Sequence, residues 1–186
     1  MNEFVYVSGR HCLDFAGTIL WRRTLRTELL ENPDDLCRWV AGANLCDEME
    51  PPSADSVRDA RHLREAIYSA VGASLTGSTH RATEAEVGLL NTAAAGPLPT
   101  LTLTREGDTT STGTPGNALS LLARDAIDLI GSPAMAKVKE CSNPDCTRLF
   151  VDLSRGFSRR WCGMAECGNR IKAADYRRRK KLQSID

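Results

Sequence analysis

Residues 141–170 read CSNPDCTRLFVDLSRGFSRRWCGMAECGNR, and the reading of this stretch decides the fold of the C-terminal part of the chain. Four of the seven cysteines lie here: Cys141 and Cys146, then Cys162 and Cys167, each pair with four intervening residues and fifteen residues between the pairs. Tetrahedral zinc takes four Cys sulfurs at about 2.3 Å. Pro144 in the first loop and Gly163 in the second are residues that tight turns use, so each loop is able to aim two thiolates at one point. Between the pairs, Leu149, Phe150 and Val151 are expected to form a hairpin with residues 157–161, turning near Ser154, Arg155 and Gly156. After Cys167, Gly168 and Asn169 read as a helix entry, with a basic helix continuing through residues 170–182. The sum is a small treble-clef or zinc-ribbon-like finger.

Four thiolates close the coordination shell and leave no position for water, so the zinc expected here is structural and not hydrolytic. Gaps of four are looser than the usual two. The alternatives are buried free thiols, since cysteine packs as a small hydrophobe, or disulfides. The flanking Asp, Glu, Arg and Gly are a poor setting for thiols in an apolar core.

Working outward, composition places the chain among folded proteins, with 41% hydrophobic and 26% charged residues. No apolar run approaches the eighteen or so residues of a membrane span. The start, MNEFVYVSGRHC, has neither a basic lead nor an apolar signal core. Seven cysteines leave one unpaired in any disulfide scheme, and Cys12, Cys37 and Cys46 share no common gap, so a reducing cytoplasm is the expected location. A formal net charge of zero hides a division: residues 1–136 carry a net −7 and residues 137–186 a net +7. Opposite electrostatics argue for two units, the basic one meeting a polyanion. Mutual attraction of the two units is the simpler alternative.

The first unit reads as mainly helical with a short β-hairpin. Asn32 before Pro33, Asp34 and Asp35 marks a helix start, with Gly42 as its stop. Ser53 caps a longer helix whose apolar stripe runs through Val57, Ala60, Leu63, Ile67, Ala70 and Val71. Thr83 with Glu86 fits a capping box. Residues 98–112, LPTLTLTREGDTTST, alternate like a hairpin turning near Glu106, Gly107 and Asp108. A further helix carries Leu119, Leu122, Ala126, Leu129 and Ile130 and ends at Gly131, Ser132 and Pro133. Residues 4–7 (FVYV) are a candidate strand, and residues 12–26 (CLDFAGTILWRRTLR) are expected to be helical. The boundary between the units is placed at residues 131–134 (GSPA), a join short enough that the two should be docked.

From Arg155 to Lys181 ten basic residues stand against Glu166 and Asp175: Arg155, Arg159, Arg160, Arg170, Lys172, Arg177, Arg178, Arg179, Lys180 and Lys181. On a helix residues 177–181 wrap more than one turn, covering several faces. Such a run is often only a solvated surface, but its attachment to a finger favours nucleic-acid contact. Phe157, Trp161 and Tyr176 are too few for a base-stacking platform, which points to duplex DNA over single strands.

CGNR at 167–170, with WC at 161–162, the first cysteine pair and LFVDLSR at 149–155, resembles the CGNR zinc finger family of bacterial proteins. In that family the finger follows a mostly helical N-terminal domain often called ABATE, and the proteins are described as stress-induced transcription regulators. CLDFAGT at 12–18, the LCRWV helix and LREAI at 63–67 extend the resemblance over nearly the whole chain. It implies an ABATE-like unit over residues 1–133, serving ligand binding or dimerisation, and a finger over residues 134–186. It implies zinc ligation by Cys141, Cys146, Cys162 and Cys167, with Arg170 as a fold anchor or a phosphate contact. Trp161 is expected to pack against the hairpin, and Asp152 to pair with Arg155 or Arg159. One departure is Gly17, where the family typically shows Asn.

The expected function is therefore a zinc-dependent regulator binding duplex DNA, with a homodimer and a small-molecule effector as further expectations. The alternatives are an RNA-binding or protein-interaction module with a structural zinc, or a thiolate–zinc redox sensor. An enzyme is not expected. His11, His62 and His80 are far apart in sequence, no HExxH, GxSxG or phosphate-cradling loop occurs, and His11 beside Cys12 is poorly placed for a catalytic pair.

Overall fold

The computed structural model of the chain describes residues 3–75, 78–169, 171–173, 176 and 177. In order come α1 (His11–Ala16), β1 (Ile19–Leu20), β2 (Thr27–Glu28), α2 (Pro33–Gly42), β3 (Glu48–Met49), α3 (Ala54–Ala73), α4 (Glu84–Ala95), β4 (Thr100–Leu103), β5 (Thr109–Gly113) and α5 (Pro115–Gly131). A 3-10 turn, Pro133–Lys137, leads into β6 (Val138–Glu140), β7 (Leu149–Val151) and a π-helical turn, Met164–Gly168. The architecture is mainly α with small sheets and a cysteine-built finger at the end. No helix among the described residues is long and apolar enough to cross a membrane.

The starts of α2 to α5 fall where short polar side chains can take up the free amides of a first turn, whereas α1 follows Arg10 with no side-chain cap. The side chains of Asn32, Ser53, Thr83 and Thr114 accept from the amides of Asp35, Ser56, Glu86 and Asn117, each closed reciprocally as a capping box. Such caps contribute about 1 kcal/mol each. The stripe expected on α3 is buried in full, from Val57 to Val71, and packs against α1, α2, α4 and α5. Trp39 of α2 is completely buried with its ring 4.9 Å from Phe15 and 5.9 Å from Tyr6. The expected hairpin is β4–β5, turning through Gly107 at φ +96°. β3 adds in parallel to β5, a pairing too short for the sequence to signal.

Two expectations fail at the start. Residues 12–26 are not one helix: α1 stops at Ala16, and β1 pairs antiparallel with β2. Gly17, Thr18 and Ile19 are poor helix formers in succession, and Trp21 (φ 53°) and Arg26 (φ 43°) turn the chain back through left-handed backbone. Residues 4–7 form no strand, because their partners are side chains. The Val7 and Ser8 amides donate to Asp14 Oδ1 at 2.9 and 2.8 Å. The Val5 and Val7 carbonyls accept from Arg148 Nη1 at 2.9 Å and Arg159 Nη2 at 2.8 Å.

One buried cation ties the early segment to α3. Arg64, 2% exposed, grips Glu28 with both Nη atoms at 2.6 and 2.8 Å, and also donates to Thr18 Oγ1 and Glu65 Oε1. Burial alone would raise the Glu28 carboxyl; Arg64 outweighs it and holds it below its usual value. Burial and the Arg22 guanidinium compete in the same way at Glu65, and Arg22 prevails. Carboxyls depressed in the folded state stabilise it fully above their unfolded value, and that stability is lost as pH falls through the folded value. Urea midpoints should therefore stay level down to about pH 5 and drop below the ordinary Glu range near pH 4.3. Arg64→Met should lower stability by about 2–4 kcal/mol at neutral pH and shrink that acid drop. The lower part of this range is expected because Glu28 keeps 26% of its side chain in water.

Candidate metal centre and basic face

β7 carries the finger and is buried on both faces. It pairs antiparallel with β6 (Val138↔Val151, Lys139↔Phe150, Glu140↔Leu149), and Cys141 N donating to Arg148 O extends the ladder. A strand sends alternate side chains to opposite faces. Leu149 and Val151 join the helical core, whereas Phe150 packs with Cys141, Cys146, Cys162 and Cys167, flanked by Trp21 and Trp161. The expected partner for β7, residues 157–161, is not a strand. Gly156 (φ 79°) and Phe157 (φ 50°) leave extended backbone, and Asp152 Oδ2 takes the Arg159 amide at 3.0 Å that a ladder would need. Ser142 N, donating to Arg160 O at 2.8 Å, is what remains of that contact.

The two knuckles converge. The four sulfurs lie within 4.8 Å of one another, all buried, and Cys146 Sγ stands 3.8 Å from Cys162 Sγ. A tetrahedral ion with bonds of about 2.3 Å requires sulfur–sulfur edges of about 3.8 Å. A disulfide would need about 2.05 Å, and all seven cysteines are free thiols. Cys162 N donates to Cys141 Sγ and Asn143 Nδ2 to Cys167 Sγ, both at 3.4 Å. Donors aimed at sulfur stabilise thiolate and orient the ligand. Among the sulfurs themselves ionisation is unequal. Facing Cys146, Cys162 and Cys167 pull the Cys141 thiol down, whereas Cys141 and the other sulfurs push Cys162 far up. A divalent cation at the centre is what lets four such groups be thiolates together. The donor set therefore fits zinc.

The basic residues separate into distinct groups. Arg155, Arg160, Lys172 and Arg177 are exposed, and among the described residues none is ion-paired to a carboxylate. Arg160 and Lys172 lie over the Trp161 ring at 5.4 and 6.0 Å. Arg159 is committed to the fold: it donates to the carbonyls of Val7, Trp161 and Cys162 and stacks 4.4 Å from the Phe150 ring centroid. Arg170, Arg178, Arg179, Lys180 and Lys181 lie outside the described residues, as does most of the expected basic helix; residues 169, 171–173, 176 and 177 are helical. Asp152 pairs with Lys139 Nζ at 2.6 Å and not with the side chain of Arg155 or Arg159. Burial would raise its carboxyl, but Lys139 and the Ser154 donors hold it well below the usual range.

Sequence reasoning missed Asn143, Lys139 and Arg148. Asn143 in the SNPDC loop is a plausible knuckle residue, but nothing marks its amide as a sulfur donor, and Lys139 and Arg148 act across distances that no spacing rule covers. The remaining thiols stand apart from the cluster. Burial pushes Cys12, Cys37 and Cys46 upward, away from nucleophilic character. Cys12 N is bonded to Asp125 Oδ2 at 2.8 Å, while His62 and His80 are exposed.

Residues 9–133 match the ABATE family, whose description is "putative stress-induced transcription regulator". Residues 137–180 match the CGNR zinc finger. No curated relative matches the chain. Neither family description names an enzymatic activity. The finger match and the buried four-cysteine cluster together support structural zinc binding.

Purified protein should hold one zinc per chain by metal analysis, and Cys162→Ser should lose it. Asn143→Ala should keep the ion but release it to a competing chelator at roughly ten- to a hundredfold lower chelator concentration. Chelation should also lower the helical melting transition by several degrees, since Leu149 and Val151 belong to the helical core. A helical transition indifferent to chelator would contradict this coupling.

Proposed function

The chain belongs to the ABATE family and carries a CGNR zinc finger, and on that premise we propose that it is a transcription regulator whose finger, held by zinc on Cys141, Cys146, Cys162 and Cys167, binds duplex DNA. In this reading residues 134–186 are the reading head, and residues 1–133 sense a small ligand or mediate dimerisation. The zinc supplies a fixed centre for the two knuckles. The chain's own residues do the rest: Arg159 and Arg148 lock the finger to residues 5–7, and Arg155, Arg160, Lys172 and Arg177 are left facing solvent. The free thiols at Cys12, Cys37 and Cys46 support a reducing cytoplasm as its location.

The observation that supports this reading is a positive charge that, among the described residues, no carboxylate of the first unit neutralises. If the acidic unit existed to balance the basic one, ion pairs of that sign would join them. Among the described residues the ion pair that crosses is Arg23 with Glu140 at 2.6 Å, and there the acidic unit gives the cation and the basic unit the anion. The finger's exposed arginines are left for another partner, and phosphate is the anion that matches a guanidinium fork.

Fluorescence anisotropy on a labelled duplex across a salt series tests the proposal. If about five cations meet phosphates, log affinity should fall against log salt with a slope near −4.5. Arg155→Ala and Arg160→Ala should each reduce that slope by about 0.9, whereas Arg159→Ala should loosen the finger and its zinc. Truncation after Tyr176 should lower the slope further. No binding by zinc-loaded protein at low salt would end the proposal, and tighter binding to structured RNA than to duplex DNA would replace DNA with RNA.

A further inference from the structure

The turn over residues 153–157 displays two apolar side chains that the fold leaves largely in water. Leu153 is 71% exposed and Phe157 54%, and they bracket the exposed Arg155. The backbone that carries them is tightly held. Fully buried Asp152 accepts at Oδ1 from Ser154 N (2.9 Å) and Ser154 Oγ (2.6 Å), and at Oδ2 from Lys139 Nζ and the Arg159 amide. Ser154 Oγ in turn accepts from the amides of Ser158 and Arg159, and Ser154 O from Phe157 N at 3.1 Å. Lys139 Nζ also donates to the Phe157 carbonyl. A buried carboxylate and a hydroxyl thus fix a turn whose tip is apolar.

Phe157 is an unfavourable residue for its own backbone. Its φ of 50° lies in the left-handed region, where glycine or asparagine sits easily and a bulky aromatic is strained. Burial of the ring does not offset that strain, because more than half of it faces water. The contact with Lys137 offsets only part of it at an exposed site, and strain retained at an exposed, tightly hydrogen-bonded position points to function. One cation lies over it and another is close in sequence: Lys137 Nζ is 5.5 Å from the ring centroid, and the exposed Arg155 precedes it by two residues. An apolar tip with a cationic rim is the form in which proteins push Phe or Leu between base steps while holding phosphates on either side. A protein partner would need carboxylates placed on both sides of an apolar slot, an alternation that duplex DNA offers at every base step.

We infer that the turn is a wedge: Phe157 and Leu153 enter between base steps of duplex DNA and kink it, while Arg155 and Lys137 hold the flanking phosphates. This rests on the nucleic-acid reading above and goes beyond it, because phosphate contact alone requires neither insertion nor bending. Asp152 is a positioning residue for the wedge.

Ligase-driven ring closure of a duplex of about 100 bp, shorter than the ~150 bp persistence length, reads bending without a known target sequence. Full-length, zinc-loaded protein should speed closure about tenfold. Phe157→Ala and the Leu153→Ala/Phe157→Ala pair should abolish the acceleration at concentrations where anisotropy still shows bound duplex, with zinc content and salt slope as in the parent. Phe157→Leu should retain much of the effect. Phe157→Asn, better suited to the backbone, should raise thermal stability and yet fail to bend. Parent protein that binds duplex without speeding closure, or a Phe157→Ala variant that bends equally well, overturns the wedge and leaves the regulator reading intact. Failure of the parent to bind any duplex removes both. If Phe157→Ala lowers the sedimentation mass of the free protein, the tip belongs to a self-association contact and the wedge is wrong.

Discussion

β7 has three residues and two cores to serve. Leu149 and Val151 fill the helical core, Phe150 closes the sulfur cluster, and each is at most 3% exposed. A slip of one residue would exchange these roles, sending Phe150 among the helices and two aliphatic side chains among the sulfurs. The register is therefore specified from both faces, and it is locked at its ends by Cys141 N on Arg148 O and Val151 N on Ser8 O. A two-stranded ladder this short has little stability of its own. Its stability comes from the metal on one side and helix packing on the other, so the finger and the helical unit cannot be treated as independent modules.

The guanidinium groups perform a second kind of joining. A buried cation is unfavourable unless its donors are satisfied, and Arg148, 7% exposed, answers that demand with carbonyls from Val5 and Gly17. Gly17, whose carbonyl Arg148 holds, has little room for a side chain. A Cβ at that position would stand 2.9 Å from Arg148 Nη1. The guanidinium could not retreat without giving up the carbonyls it holds. Arg159 fixes Val7 in the same manner. Two of the finger's cations are thus fasteners, which narrows the surface available to a partner to those that remain exposed.

The sequence displayed whatever depends on local chemistry. Asn32, Ser53 and Thr83 announced helix starts because a cap acts within three residues, and the α3 stripe announced its buried face because helical period is local too. The cysteine spacing announced the cage for the same reason: each knuckle is a short loop. What it concealed was set by distant partners. β7 was legible as a strand, but its choice of Val138–Glu140 over residues 157–161 depends on Asp152 capturing the Arg159 amide, a contact that no periodicity reveals. The segment at residues 4–7 has the composition of a strand and is denied a ladder by two arginines more than 140 residues away. Among the basic residues, charge counting could not separate Arg159 from Arg160, although one is bonded to carbonyls and the other lies over a tryptophan ring facing solvent.

Charge segregation acquires meaning once the joining contacts are known. A chain with no net charge has no monopole attraction for a polyanion, yet one end carries a net +7 and the other a net −7. Among the described residues the ion pair that crosses the join, Arg23 with Glu140, does not cancel this division, and opposite charges on the two units make a dipole. Near a polyanion such a dipole experiences a torque before it experiences a contact, turning the basic end inward and the acidic end away. The rigidity provided by β7, Arg148 and Arg159 keeps that torque effective, since a finger on a loose tether would reorient alone and leave the helical unit unaligned. The acidic unit would then be repelled from lying along the same polyanion, confining contact to the finger. Such an arrangement makes approach sensitive to salt within a Debye length of about 8–10 Å, while the buried contacts that hold the finger in place are screened far less.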